Sequence, residues 1–561
     1  MAVIGDYLYI LDVVGTLFRY DANWQQCGYT SGYSSMTANG STLYLVSGST
    51  LTLLDAELNR VSALTLPYTP TALSVGKGGN ELWIGNDDGL HGISLAGSEP
   101  SIIEEKINID AQSVETSYAL TFAHDRLYTT TGGPFRTLTK GPGHASILID
   151  GSWTNYDYSS TSLTSDQFRQ LQAIEASPGD PDHFVIGLYR QGLVEFRDGT
   201  FYQHIGSEDG YLDSSSGSNK NDYIWASDLK FDASGNLWVL NANVEYPVRV
   251  REAATGKWYK YNVTDYVKTD ELMSFLITTN GRSNQKWFTT QQSRQTVNVF
   301  DDNGTLDNTA DDQSICITTL IDQDGNEYSS STATKSYALA EDKDGKIWLG
   351  TSTGIFTFSS PHNVFSTGGQ CSRPKVPRND GTGLADYLLD GETVTCIKVD
   401  AANRKWVGTQ SSGVYLLSAD GLETLLHFTS SNSMLPSDEV ISMAIDDNTG
   451  RVYFGCSDGL AAYQSDATKG ADDYAEVYAY PNPVRPDYTG TITVCGLMAN
   501  TLVKITDLNN NLICQGTSLG GQFSWDGLNR RGERVKSGVY LVYGSSEDGK
   551  KGVVTKIMII R

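Results

Sequence analysis

A repeat runs through most of the chain and decides what it can fold into. The segment 342–358 reads DKDGKIWLGTSTGIFTF, and it recurs as AANRKWVGTQSSGVYLL at 401–417 and as NTGRVYFGCSDGLAAY at 448–463. An earlier copy, GNELWIGNDDGLHGI, occupies 79–93. Each copy contains a turn, an aromatic residue within an apolar strand, and a glycine two residues later. Repetition on this scale indicates similar supersecondary units that bury their apolar faces against one another.

Weaker copies extend the repeat toward the N-terminus, and ten positions align. These positions lie 35 to 61 residues apart. Four short antiparallel strands with their turns occupy about 40–50 residues, which is the size of a propeller blade. The pattern therefore predicts an all-β fold with ten propeller blades. The aligned residues are Tyr9, Tyr44, Trp83, Tyr128, Val185, Trp238, Trp287, Trp348, Trp406 and Tyr453.

Ten blades exceed one ring, because propellers typically close with about four to eight. One division is five plus five. The other is a complete seven-bladed ring from Tyr128 to Tyr453, preceded by three blades of a ring whose N-terminal blades are missing from this chain. Following the second division, we predict part of a first propeller at 1–117, a second propeller at 118–475 and a C-terminal immunoglobulin-like β-sandwich at 476–561. Only 164–176 has helical periodicity, and it runs into a blade strand.

The net charge of −25 argues against two classes of partner, nucleic acid and anionic lipid surfaces, because both would repel the chain. The charge is unevenly placed. From Tyr478 onward there are ten Lys and Arg against six Asp and Glu, so the end of the chain is basic while the rest is acidic. This split indicates a separately built C-terminal module.

The sequence gives little sign of catalytic or metal chemistry. The seven cysteines are scattered without a CxxC pair, and the seven histidines are dispersed, so we expect free thiols, no metal and no cofactor. The acidic segments 301–313 and 322–327 lack the order of an EF-hand loop, and Asp-Gly is a common hairpin turn. We therefore expect a protein that is not an enzyme.

Three cations stand close together in an otherwise acidic region. Arg373, Lys375 and Arg378 lie within the Gly- and Pro-rich segment 366–383. Guanidinium and ammonium groups bind phosphate and carboxylate, so the cluster is a candidate contact for an anionic glycan or phosphate. A solvated loop between strands is the alternative.

No stretch reaches the roughly 18 apolar residues of a membrane span. The start, MAVIGDYLYILDV, lacks the basic residues and cleavage site of a signal peptide and reads as a strand already in progress. We therefore expect either a cytoplasmic protein or a true start upstream of Met1, in which case export would use a signal peptide that this chain does not contain.

The end of the chain resembles the C-terminal sorting domain of the type IX (Por) secretion system. It runs YPNPV at 480–484, LVKITDLNNNLICQG at 502–516, FSWDGLNRRGERVKSGVYLVYG at 523–544 and KGVVTKIMIIR at 551–561. The order of these elements agrees with the family pattern, although Asn510 stands where the pattern has glycine. The residues that carry the resemblance are Tyr480, Pro481, Asn482, Pro483, Trp525, Asp526, Gly527, Gly538, Tyr540, Lys556 and Arg561.

The blades resemble the two-component regulator propeller repeat, which builds the periplasmic sensors of Bacteroidetes. Together with the sorting domain, they resemble surface accessory proteins of the type IX machinery. That resemblance implies an outer-membrane-associated protein at the cell surface, exported through the periplasm. Its implied partners are the sortase PorU together with PorV and PorQ, and its implied ligand is anionic lipopolysaccharide.

Two other functions fit the same residues. The chain could be type IX cargo, a glycan-binding protein or hydrolase that loses its sorting domain on arrival. It could also be the ligand-binding ectodomain of a two-component-type sensor, which would continue into a membrane span and a kinase.

Overall fold

The computed structural model describes residues 1–561 except 28–31, 77, 87–88, 98, 108–109, 134–142, 216–222, 267–270, 280–283, 292–295, 330–334 and 379–380. The chain divides into two compact units, Met1–Ala111 and Gln112–Arg561. Nearly all regular structure in the described residues is antiparallel β-strand. The predicted all-β propeller class is confirmed. The predicted domain limits and the immunoglobulin-like type of the C-terminal sandwich stay predictions.

The first unit contains three four-stranded sheets within its described residues, and in each sheet the strands pair in chain order. The first sheet holds β1 (Ala2–Ile4), β2 (Tyr7–Leu11), β3 (Leu17–Asp21) and β4 (Asn23–Gln26). The second holds β5 (Ser35–Asn39), β6 (Thr42–Ser47), β7 (Thr50–Leu54) and β8 (Arg60–Thr65). The third holds β9 (Ala72–Val75), β10 (Glu81–Asn86), β11 (Gly89–Ser94) and β12 (Ser101–Ile107).

The second unit begins with a series of sheets that use the same meander. Its strands up to residue 464 are β13 (Ala119–Ala123), β14 (Arg126–Thr130), β15 (Ala145–Ile149), β16 (Ser152–Tyr156), β17 (Leu171–Ser177), β18 (Asp180–Leu188), β19 (Gly192–Arg197), β20 (Thr200–Ile205), β21 (Trp225–Phe231), β22 (Leu237–Ala242), β23 (Val248–Arg251), β24 (Trp258–Tyr261), β25 (Glu271–Ile277), β26 (Lys286–Gln291), β27 (Val297–Asp301), β28 (Gln313–Ile317), β29 (Thr319–Ile321), β30 (Glu327–Ser329), β31 (Ser336–Glu341), β32 (Ile347–Thr351), β33 (Gly354–Phe358), β34 (Lys375–Pro377), β35 (Ala385–Tyr387), β36 (Val394–Val399), β37 (Lys405–Thr409), β38 (Val414–Leu417), β39 (Thr424–Phe428), β40 (Val440–Asp446), β41 (Arg451–Cys456) and β42 (Gly459–Gln464).

In the described part of this region, these strands form seven blades and two small ladders. The blades are β13–β16, β17–β20, β21–β24, β25–β28, β31–β33, β36–β39 and β40–β42, and the ladders are β29–β30 and β34–β35. The first strand of each blade lies next to the first strand of the following blade, and β40 lies next to β13. The hydroxyl of Ser442 donates to the carbonyl oxygen of Ser117 (2.9 Å), and the rings of Phe122 and Tyr453 stack at 5.9 Å across this junction. The seven blades therefore form a closed ring.

The repeated aromatic residue has one structural position. Each of the ten aligned residues lies in the second strand of its sheet. The turn aspartate before that strand explains part of the motif. In two blades the indole Nε1 of the tryptophan donates to this aspartate at 2.8 Å, from Trp238 to Asp232 and from Trp348 to Asp342. The aspartate also accepts backbone N–H groups of its own turn, so one side chain fixes both the turn and the buried indole.

Two lysines link neighbouring blades. Lys405 is fully buried, and its Nζ lies 3.1 Å from a carboxylate oxygen of Asp342 and 4.7 Å from the ring of Trp348 in the preceding blade. Lys286 repeats the ring contact, with its Nζ 4.0 Å from the ring of Trp238 in the preceding blade, but its carboxylate partner, Asp302, belongs to its own blade. Burial lowers the pKa of both lysines, and the nearby carboxylates oppose that change. A lysine directly before the repeat tryptophan therefore joins its blade to the one before.

Helical structure in the described residues is short. It consists of two 3-10 turns, Tyr158–Ser160 and Pro361–Asn363, and of α1 (Val364–Thr367). The segment 164–176, all of which is described, contains no helix, because Leu171–Ser177 forms β17 and pairs with β18. Its apolar residues are buried as the inner strand of a blade, which outweighs the helical periodicity.

The end of the chain forms two further sheets. Its strands are β43 (Tyr478–Tyr480), β44 (Ile492–Cys495), β45 (Leu502–Thr506), β46 (Leu512–Thr517), β47 (Gln522–Trp525), β48 (Gly538–Ser545) and β49 (Gly552–Ile559). One sheet has the order β43-β44-β47, and the other has the order β46-β45-β48-β49. Apolar residues from both sheets, including Val494, Val503, Trp525 and Ile557, share one core. The arrangement is a two-sheet sandwich.

Candidate functional site

The Tyr-Pro-Asn-Pro segment lies along the outer edge of the last strand, β49. The side-chain amide of Asn482 donates to the carbonyl oxygen of Lys556 (2.9 Å), and its oxygen accepts from the backbone N–H of Met558 (2.9 Å). The backbone of Val484 then pairs with Met558 and Ile560 at 2.8 and 2.9 Å. The C-terminal half of β49 is therefore held on both sides, by β48 and by this segment.

The prolines next to Asn482 suit this position. Pro481 and Pro483 have no N–H group, so they cannot offer a further strand the donors that an exposed edge normally presents. Tyr480 remains well exposed at the start of the segment. The segment thus protects an edge that would otherwise be open to pairing with another chain.

The Trp-Asp-Gly turn is part of the sandwich core. Trp525 is buried, and its Nε1 donates to the carbonyl oxygen of Leu528 at 2.8 Å. The Asp526 carboxylate accepts from the Leu528 N–H (2.8 Å), and Gly527 has φ +75°, which favours glycine. The ring of Trp525 also lies 5.9 Å from that of Tyr540. This motif shapes the turn and the core rather than a binding surface.

The other motif residues tie the last strand to this core. Gly538 begins β48, and the buried Tyr540 donates its hydroxyl to the carbonyl oxygen of Lys536 at 2.9 Å. Arg561 is anchored by its backbone N–H, which donates to the hydroxyl of Ser537 at 2.8 Å. Asn510 adopts φ +62°, a conformation that asparagine tolerates better than most residues, which explains its place in a glycine position.

The side of sheet β46-β45-β48-β49 that faces away from the core is largely apolar over β48 and β49 and polar at β46, where Gln515 and Thr517 pair with Lys504 and Leu502. In β49, exposed side chains alternate with the buried Ile557 and Ile559. Residues paired across antiparallel strands share a face, and the register pairs Met558 with Val539, Lys556 with Leu541 and Val554 with Tyr543. We call this surface the outer face, and define it by Leu502, Lys504, Val539, Leu541, Tyr543, Val554, Lys556, Met558 and Ile560.

Sequence reasoning selected Lys556 and Arg561 in the last strand and missed the apolar residues between them. The signal was present, because Val554, Lys556, Met558 and Ile560 occupy alternate positions at the end of the chain. Period-2 alternation predicts that a strand has two faces. Here both faces carry apolar residues, and the sequence alone does not show which face is buried in the core and which is exposed.

The three predicted anion-binding cations lie near one another, and each has a carboxylate partner. Arg373 is buried, and its guanidinium pairs with Asp390 at 2.5 Å. Lys375 pairs with Asp324 at 2.6 Å, and that hydrogen bond raises the pKa of the lysine.

Arg378 completes the cluster on the short ladder β34–β35. Its guanidinium donates hydrogen bonds to both carboxylate oxygens of Asp386, at 2.8 and 2.6 Å. An anionic ligand at this cluster would have to compete with the carboxylates that already pair with it. The assignment of these cations as an anion contact stays a prediction.

The described residues hold no group of three or more His, Cys, Asp or Glu side chains arranged to bind a metal ion. All seven cysteines are free thiols. Burial raises the pKa of Cys371 and Cys396 to about 12, so these thiols stay protonated at neutral pH. No helix among the residues that the structure describes is long and apolar enough to cross a membrane.

Comparison with known proteins finds a family model that matches part of the chain and solved structures that are similar to it. The two component regulator propeller family model matches residues 330–353. None of the curated proteins matches the chain. Among solved structures, the chain is similar to PorZ of Porphyromonas gingivalis, an essential bacterial surface component of the type-IX secretion system. The two are 26% identical with a TM-score of 0.72, and the alignment covers 100% of this chain and 75% of PorZ.

A second solved structure is the extracellular domain of the hybrid two component system BT3049 from B. thetaiotaomicron. It is 13% identical with a TM-score of 0.30, covering 99% of this chain and 90% of that one. The predicted resemblances to type IX surface components and to regulator propellers are confirmed by PorZ and by the family model. The sorting-domain assignment stays a prediction.

Proposed function

We propose that this chain is a non-catalytic, cell-surface accessory of the type IX secretion system. The observation that carries the proposal is the likeness to PorZ, which extends over the whole chain, sandwich included. On this proposal the protein stays associated with the outer membrane after export through the periplasm, keeps its C-terminal sandwich, and supports the complex of PorU, PorV and PorQ that attaches cargo.

The outer face of the sandwich is the proposed docking surface for that complex. Exposed Val554, Met558 and Ile560 can bury apolar area against a partner, which favours association by about 25 cal/mol for each Å² removed from water. Lys504 and Lys556 add positive charge on the same face. An acidic partner surface would be attracted to the basic C-terminal segment and repelled by the acidic remainder of the chain.

A charge introduced into the outer face tests this surface. We expect Met558→Glu to abolish copurification of PorU, PorV and PorQ with the tagged protein from the cells that produce it, because a carboxylate would be desolvated in the apolar contact. Met434→Glu is the matched control, since Met434 is an exposed methionine of the ring. Unchanged copurification with a correctly folded Met558→Glu protein would contradict this docking surface.

The cluster of Arg373, Lys375 and Arg378 is the proposed contact for the anionic part of lipopolysaccharide. Lys375 and Arg378 are more than 40% exposed, so a phosphate could displace their aspartates, whereas Arg373 is buried and supports the ladder from beneath. We expect the double substitution K375Q/R378Q to lower retention on immobilised lipopolysaccharide from the producing cells. Equal retention of the variant and the unaltered protein would refute this assignment.

A further inference from the structure

A groove of about 720 Å³ lies between two neighbouring blades of the ring, β17–β20 and β21–β24. It is bordered by the turns 177–179, 233–235 and 252–256. Small-molecule sites typically enclose about 300–1,000 Å³, so the groove has room for a ligand of that size. None of the residues discussed above as motif or anion-contact residues lines it.

Beneath the groove lies a carboxylate whose role is to orient its neighbours. Glu195 is fully buried and accepts hydrogen bonds from His183 (2.7 Å), Gln203 (2.5 Å), Arg251 (2.7 and 2.9 Å) and Arg197 (3.0 Å). Burial alone would raise the pKa of Glu195, but the hydrogen bonds from His183 and Arg251 outweigh it and hold the pKa well below its usual range. The carboxylate therefore stays ionised and fixes these side chains at the groove.

One wall of the groove is aromatic. Tyr211 and Trp258 both line it, with their rings stacked at 5.4 Å and 15°. Tyr211 is 42% exposed, so solvent and ligands reach its ring, while the Arg251 guanidinium lies over the ring of Trp258 at 5.9 Å. Flat aromatic surfaces pack well against the C–H-bearing face of a sugar ring, because they combine a large apolar area with a negative face.

The polar groups that remain offer both donors and acceptors. Arg197 is 44% exposed on its side chain, so part of its guanidinium faces the groove. The amide of Gln203 donates to Glu195, which leaves the amide oxygen as an acceptor. Glu252 lines the groove as a further acceptor. The charges of Arg197 and Arg251 are matched by those of Glu195 and Glu252, so the lining does not select strongly for an ion.

We propose that this groove binds a neutral pyranose unit of a glycan. Hydroxyl groups both donate and accept, which matches the mixed lining, and the sugar ring would pack on the wall of Tyr211 and Trp258. A phosphate or carboxylate ligand is disfavoured, because it would approach Glu195 and Glu252 as well as the arginines. Sugar binding at this groove goes beyond the proposed type IX role, since neither the outer face of the sandwich nor the cluster of Arg373, Lys375 and Arg378 depends on it.

Ligand-observed saturation-transfer NMR with the full chain tests the proposal. The probes are neutral hexose trisaccharides (maltotriose, cellotriose, mannotriose and galactotriose), with trigalacturonate as the acidic probe. We expect at least one neutral trisaccharide to bind. We expect W258L to weaken it about tenfold or more, and W258F, which keeps an aromatic wall, to weaken it only a few fold.

R197Q supplies a second test with a matched control. The substitution leaves the hydrogen bonds of His183, Gln203 and Arg251 to Glu195 in place, so the fold should persist. We expect the affinity for the trisaccharide to fall about five- to tenfold, because one hydrogen bond from the Arg197 guanidinium to the sugar is lost. R169Q is the control, because Arg169 has a similar side-chain exposure of 41%, also pairs with an aspartate and does not line the groove. It should bind the trisaccharide as the unaltered protein does.

Three results would overturn the proposal. They are no binding of any neutral probe by a folded chain, equal binding by W258L and R197Q, and binding of the acidic probe alone. Competition by lipopolysaccharide from the producing cells would identify the source of the sugar. Displacement of the bound trisaccharide points to a lipopolysaccharide chain, and continued binding points to another glycan.

Discussion

The link between neighbouring blades gives the sharpest prediction about stability. Lys405 and Asp342 are buried together, with side-chain exposures of 0% and 2%. The Nζ of Lys405 also donates to the carbonyl oxygens of Asn403 (2.7 Å) and Ala419 (2.5 Å). If Asp342 becomes asparagine, the ammonium group keeps these carbonyls but loses its ion-pair partner.

Removing one partner of a buried ion pair costs about 3–5 kcal/mol, because an uncompensated charge remains in the interior. In a large domain each kcal/mol lowers the melting temperature by about 2 °C, so D342N should lower it by about 6–10 °C. The double variant D342N/K405M should recover part of this loss, since it removes the buried ammonium group as well. Differential scanning calorimetry of the full chain, read at the transition of the ring, measures these changes.

The matched control is D324N, which breaks a surface pair. Asp324 and Lys375 are 40% and 42% exposed, and exposed pairs contribute about 0–1 kcal/mol. We expect D324N to melt within about 2 °C of the unaltered protein. If D342N shifted the transition no more than D324N does, the ion pair between blades would not stabilise the ring.

Three further predictions follow from single side chains. Burial raises the pKa of Asp228 to about 6, above its ordinary value of 3.8, so the folded state holds this proton more tightly than the unfolded chain does. The stability that the bound proton contributes is therefore lost as pH rises from about 4 to about 6. Melting temperatures of D228N and the unaltered protein across this range should differ by that loss, and identical pH profiles would exclude it. N482A should lower the free energy that holds the C-terminal edge of the sandwich by about 1–3 kcal/mol. Hydrogen exchange of the Met558 amide should become faster while that of Ile557 does not, and unchanged exchange would mean that Asn482 does not hold the strand. Cys371 and Cys396 should resist maleimide at pH 8 until urea is added, because burial keeps them protonated; rapid labelling of the folded protein would contradict their placement.

Much of the blade architecture could be predicted from local sequence. Trp348 and Trp406 fall on the second strand of their blades because a turn, an apolar strand and a glycine recur in fixed order around them. The Trp-Asp-Gly turn and the Tyr-Pro-Asn-Pro segment were recognisable for the same reason. Patterns of this kind depend on neighbouring residues, whose geometry the backbone fixes.

The candidate sites depended on residues that are far apart in sequence. The cations at Arg373 and Lys375 looked available, but Asp390 and Asp324 come from other turns and pair with them. The sugar groove combines Arg197 of one blade with Trp258 of the next. Sequence periodicity gives the order of blades but not which side chains meet between them, so neither the pairing nor the groove could be predicted.

Deletion of the gene in the producing cells tests whether the chain serves type IX secretion. The measurement is the fraction of cargo attached to the cell surface, compared between the deletion strain and the same strain carrying the gene again. We expect attached cargo to be lost in the deletion strain, unprocessed cargo to accumulate in the periplasm, and the returned gene to restore attachment. Normal attachment of cargo in the deletion strain would contradict this expectation.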